Sequence, residues 1–129
     1  MRRPALATVA CACLLAGCGG DAEKTAAGPA VTVPLAKGLK VVAREYSFKP
    51  GNVIVTGTGK LKVTLDNRGS LAHNLKLEQG GRQVGGGPTF PGGEARSGTV
   101  NVAPGSYRMV CTVGNHEQLG MTGKLEVRR

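Results

Sequence analysis

Lys60-Leu61-Lys62-Val63-Thr64-Leu65 alternates polar and apolar side chains along its whole length. Successive side chains of an extended chain point to opposite faces, so Leu61, Val63 and Leu65 share one face and Lys60, Lys62 and Thr64 the other. The period is two, and the segment reads as a half-buried strand. Working outward, the same rule predicts strands over 39–46, 52–56, 73–78, 99–102, 106–112 and 121–128. Turn sequences separate them, among them Lys49-Pro50-Gly51, Pro91-Gly92-Gly93 and Pro104-Gly105. The sum is an all-β fold, a Greek-key β-sandwich of about seven to eight strands, with no stretch that demands a helix. Seven glycines fall between Gly80 and Gly93, so that stretch reads as a loop or a ragged edge strand.

Composition agrees with sheet. The 129 residues include 21 Gly and 7 Pro but only two Phe, two Tyr and no Trp, which leaves Val, Leu and Ile to fill a core. The length holds one domain and excludes a two-domain enzyme. Lys and Arg number 17 against 8 acids, a formal charge of +9. With so few aromatic rings there is almost no platform for stacking bases, so the expectation is no nucleic-acid partner. The charge is better suited to steering an acidic protein partner, or to solubility.

The N-terminus reads as an address. Arg2 and Arg3 precede an apolar run from Ala5 to Ala16 that is too short to span a bilayer. Leu15-Ala16-Gly17-Cys18 resembles the lipobox of bacterial lipoproteins, which implies cleavage after residue 17 and a lipid on Cys18. An ordinary signal cut nearby would instead release a soluble secreted protein. Residues 18–38, small and polar with Pro29 and Pro34, read as a flexible tether, and 39–129 as the folded domain. Loss of residues 1–17 removes two arginines, so 15 minus 8 leaves a mature charge of +7. The implied location is outside the cytoplasm, lipid-anchored to the outer face of the cell membrane or facing the periplasm. Three of the four cysteines, Cys11, Cys13 and Cys18, lie in this leader, so the body has Cys111 alone and no disulfide framework.

The chemistry gathers around that cysteine. Cys111-Thr112-Val113-Gly114-Asn115-His116-Glu117-Gln118-Leu119-Gly120-Met121 holds a thiol, an imidazole and a thioether on one short loop, and His73 supplies a second imidazole upstream. By parity, His73 faces inward with Leu75 and Leu77, Cys111 with Tyr107 and Met109, and Met121 with Gly123 and Leu125. The loop joins two strands, so Cys111 and Met121 are expected side by side. Each residue singly could be ordinary core. Together, two His, one Cys and one Met form the donor set of a blue copper electron-transfer site, and they use both histidines of the chain.

On these residues the domain from about 39 to 129 resembles the cupredoxin family, type 1 copper proteins such as plastocyanin, azurin, rusticyanin and sulfocyanin. Tyr46-Ser47-Phe48-Lys49-Pro50, His73-Asn74, Pro104-Gly105-Ser106-Tyr107 and Gly120-Met121 carry the resemblance further. It implies one copper cycling between Cu(I) and Cu(II), held by His73, Cys111 and His116 with Met121 at long range. It also implies that Asn74 and Thr112 hydrogen-bond each other in support. The function implied is single-electron carriage at the membrane between redox partners of the cytochrome or copper-oxidase type, by a monomer. His116 is the expected exit and Leu119 the expected centre of docking, unless Leu119 packs beneath the loop. Copper sequestration or delivery is the rival function, and an adhesive sandwich without metal is a third. Nothing pairs a nucleophile with a base, and Glu117 is the only acid near the loop in sequence, so no enzyme is expected.

Overall fold

The computed structural model describes residues 28–129; the leader, Cys18 and the first half of the tether lie outside the described residues. Strands run β1 Val31–Pro34, β2 Leu39–Arg44, β3 Ser47–Lys49, β4 Asn52–Thr56, β5 Gly59–Asn67, β6 Lys76–Gln79, β7 Arg82–Gly86, β8 Ala95–Val102, β9 Gly105–Val110 and β10 Thr122–Arg128. They form a six-stranded sheet in the order β1-β4-β10-β9-β6-β7 and a four-stranded sheet in the order β3-β2-β5-β8. The chain crosses between sheets after β1, β3, β4, β5, β7 and β8. The all-β sandwich expected from the alternation is therefore present. Apart from a 3-10 turn at Leu35–Lys37, the described residues contain no helix, and so none long and apolar enough to cross a membrane.

Alternation explains the core. Leu61, Val63 and Leu65 of β5 are buried, as are Leu39, Val41 and Ala43 of β2 beside them and Val100 and Val102 of β8. From the other sheet come Val53, Val55, Leu77, Tyr107, Met109, Leu125 and Val127. Each fully buried Leu or Val contributes about 1.5–3 kcal/mol relative to exposure. Polar partners of the period line the outside, with Lys40, Lys60 and Lys62 exposed on the four-stranded sheet.

Among the described residues ten strands replace the expected seven or eight. The stretch read as tether is built into the sheet from Val31, where β1 pairs in parallel with β4. Pro34 and the exposure of Val31, Thr32 and Pro34 hid that strand, because an edge strand with little burial has no alternation to show. The expected strand over 39–46 stops at Arg44. A turn at Glu45-Tyr46 then sends the chain back as β3 against β2. The glycine-rich stretch contributes β7, the edge strand on β6. His73, expected to open a strand, instead sits in an isolated bridge with Phe90, three residues before β6.

Candidate metal centre

Two loops at one end of the sandwich carry the candidate residues, one between β5 and β6 and one between β9 and β10. Asn67, wholly buried at the end of β5, organises the first: its amide nitrogen donates to the carbonyls of Leu71 (3.0 Å) and Phe90 (3.1 Å), and its oxygen accepts from Gly69 N–H (3.0 Å). His73 and Phe90 exchange both backbone bonds at 3.1 Å, which fixes the histidine's backbone. Nothing in the residue pattern marked Asn67 for this role beyond its place at a strand end.

Cys111 follows β9 directly and Met121 precedes β10. Cys111 N–H donates to the Met121 carbonyl (3.1 Å), and Met121 N–H to the His116 carbonyl (3.0 Å), so the loop is closed at its neck. Gly120 adopts φ +104° to make that closure, a conformation L side chains avoid. At the entry to β9, Tyr107 Oη donates to the Ala103 carbonyl (2.9 Å) and accepts from Ala103 N–H (3.0 Å), pinning the strand that delivers Cys111.

The side chains converge. His73 Nδ1 lies 3.2 Å from His116 Nδ1, and Cys111 Sγ lies 3.9 Å and 3.6 Å from those two nitrogens. His73 and Cys111 are wholly buried and His116 is 7% exposed. One ligand atom from each of the three residues lies within 4.8 Å of the others, close enough together for a single ion to be held by both imidazoles and the thiolate. A buried thiol and two buried imidazoles facing one point within bonding reach are a donor set for a metal of intermediate softness. Met121 is also wholly buried.

Asn74 and Thr112, each next to a donor residue, hydrogen-bond each other. Asn74 Nδ2 donates to Thr112 Oγ1 and Thr89 Oγ1, and Asn74 Oδ1 accepts from Thr112 N–H, each at 2.9 Å. The residue after His73 is thus tied to the residue after Cys111. Tyr46 packs edge-on against the His116 ring with centroids 5.0 Å apart.

The acids near the site are not those expected. Glu117 faces away and pairs with Arg108 at 2.9 Å. Glu45, remote in sequence, lies with Oε1 3.4 Å from His73 Nε2. Its carboxylate accepts from Leu71 N–H (2.8 Å) and Ser70 N–H (2.6 Å). Those bonds, the one from Leu71 foremost, hold its pKa down to about 2. Burial pushes the His73 imidazole below its ordinary value; Glu45 opposes this and the facing His116 reinforces it. A neutral ring with a free lone pair is the form that binds metal.

No protein-family model matches the sequence, and no curated protein matches it significantly. Solved structures do match in shape. Reduced auracyanin from the photosynthetic bacterium Roseiflexus castenholzii superposes with a TM-score of 0.65 at 18% identity, over 70% of this chain and 96% of that one. The fold is that of the cupredoxins. Rusticyanin from Thiobacillus ferrooxidans gives a TM-score of 0.62 at 23% identity, over 79% of this chain and 84% of its own. An azurin from Methylomonas sp. strain J gives 0.62 at 15% identity, over 70% and 96%. The cupredoxin-like sandwich expected from the motifs is therefore the fold observed, with the buried His73, Cys111 and His116 cluster at one end.

Proposed function

We propose that this chain binds one copper ion through His73, Cys111 and His116, with Met121 as a fourth, weaker donor, and carries single electrons between redox partners. The observation that carries the reading is the buried donor triangle of one thiol and two imidazoles. Copper held there supplies a one-electron couple between Cu(I) and Cu(II). The chain's own residues do the rest. The Asn74 link and the closed loop neck hold the donors at fixed spacing, so little rearrangement accompanies a change of charge. Burial of every donor favours retention of metal over release, which supports carriage rather than delivery.

His116, the least buried of the three donors, is the proposed exit. Leu71, two residues before His73, and Leu119, three after His116, are 42% and 46% exposed. Leu119 therefore does not pack beneath its loop. Two exposed leucines on ligand-bearing loops suit a small apolar docking contact that releases quickly, and the net positive charge of the chain suits steering of an acidic redox protein. Export and a lipid on Cys18 complete the proposal and rest on the leader sequence alone; Cys18→Ser should abolish lipid labelling, and normal labelling would remove the anchor.

Voltammetry of the copper-loaded protein together with its electron self-exchange rate tests the function. A reversible wave with fast exchange is the expected result. Slow exchange combined with rapid copper transfer to a copper-free acceptor would establish delivery instead.

A further inference from the structure

The turn between β2 and β3 brings Glu45 against the loop that carries His73. One carboxylate oxygen, Oε1, receives the N–H groups of Ser70 and Leu71, and the same oxygen is the charged atom 3.4 Å from His73 Nε2. That contact is misaligned for a hydrogen bond, and His73 Nε2 is the one buried side-chain nitrogen or oxygen among the described residues left without a partner. A small rotation of the ring would close it. The seat is also kept clear: a Cβ at Gly69 would strike the Glu45 carboxylate.

We propose that Glu45 is a positioning residue for the metal centre. It holds the single proton of the neutral His73 ring on Nε2, so that Nδ1 faces Cys111 and His116 as a bare lone pair, and its fixed negative charge favours the oxidised ion. This rests on the copper reading given above for its redox half. The chemistry is direct. An ionised carboxylate only accepts, and a neutral imidazole carries one N–H, so a carboxylate at Nε2 decides which nitrogen is left to bind. Carboxylates behind metal-binding histidines orient the ring and raise its donor strength. A negative charge close to the ligand stabilises a doubly charged ion more than a singly charged one. In the copper-free protein the same assignment has a second consequence. With Nδ1 of His73 bare, the 3.2 Å contact between the two rings must be a bond donated by Nδ1–H of His116.

Nitrogen-resolved NMR of the copper-free chain tests the proton placement without metal. His73 should be the Nε2–H tautomer and His116 the Nδ1–H tautomer; the opposite pair overturns the proposal. Glu45→Gln then separates charge from geometry, since the amide oxygen still accepts from Ser70, Leu71 and His73. This variant should keep its visible charge-transfer band and shift the Cu(I) over Cu(II) preference at least tenfold, a rise of about 59 mV in potential. Glu45→Ala, which removes the acceptor as well, should weaken Cu(II) binding by about 10- to 100-fold. An unchanged potential in Glu45→Gln with the band intact overturns the charge role while leaving the copper site standing. Copper bound by the parent protein without such a band would overturn the copper site itself, and the tautomers would still decide the positioning role.

Discussion

Asn74 is the joint between the two ligand loops, and replacing it should loosen the domain measurably. Asn74→Ala removes three hydrogen bonds of 2.9 Å, two to Thr112 and one to Thr89. At a net 0.5–1.5 kcal/mol each they sum to about 1.5–4.5 kcal/mol. Asn74 is 3% exposed, but Thr112 and Thr89 lie at the surface, so water replaces part of what is lost. The expected destabilisation is therefore in the lower half of that range, about 2 kcal/mol. For a domain of this size that lowers the melting temperature by about 8–16 °C. Urea unfolding of the copper-free protein, followed by circular dichroism, measures it. A double-mutant cycle with Thr112→Val isolates the side-chain bond, because the bond to Thr112 N–H survives that substitution. Its coupling should be about 1 kcal/mol. A loss below about 0.5 kcal/mol in Asn74→Ala, or no coupling, would refute the claim that this residue ties the loops.

The remaining predictions concern the fourth donor, the docking contact and acid stability. Met121→Leu should raise the reduction potential and Met121→Gln lower it, by shifts on the order of 59 mV for each tenfold change in ion preference; voltammetry showing neither shift would remove Met121 from the centre. Leu119→Asp should slow electron transfer to the natural partner, measured by stopped flow, while spectrum and potential stay put, and an unaltered rate would defeat the docking role. Glu45 has its pKa lowered from 4.5 to about 2 in the folded chain, so the stability it contributes is complete above 4.5 and is lost as pH falls from there toward 2. The copper-free parent should therefore exceed Glu45→Gln in stability at neutral pH, with the gap closing across that interval in acid titrations followed by circular dichroism; a gap independent of pH would contradict it.

How legible this molecule is depends on whether a residue's role shows in its neighbours along the chain. β5 was legible because its inner face is buried and its outer face wet, and the same holds for β4 and β10. The donor residues were legible because a thiol, two imidazoles and a thioether are rare chemistry in this chain, and three of them share one loop. β1 was not, since a parallel edge strand with exposed side chains and a proline looks like a tether. Nor was the break after Arg44, because Glu45-Tyr46 contains no Gly, Pro, Asn or Asp to mark the turn the backbone makes there. Glu45 was missed for the same reason: its place beside His73 is created by that turn and by the space at Gly69, which no local pattern encodes. Glu117, adjacent to His116 in sequence, was the nearer acid on paper, yet it belongs to Arg108.

Titration of Cu(II) into the purified full-length chain, followed by visible absorption, tests the central claim most directly. Thiolate bound to Cu(II) gives an intense visible charge-transfer band that imidazole and carboxylate ligands lack. The band should grow to saturation at one copper per chain, and Cys111→Ser should bind copper without it. Saturation of the parent protein with no intense band, or a band that survives in Cys111→Ser, would contradict a copper centre built on His73, Cys111 and His116.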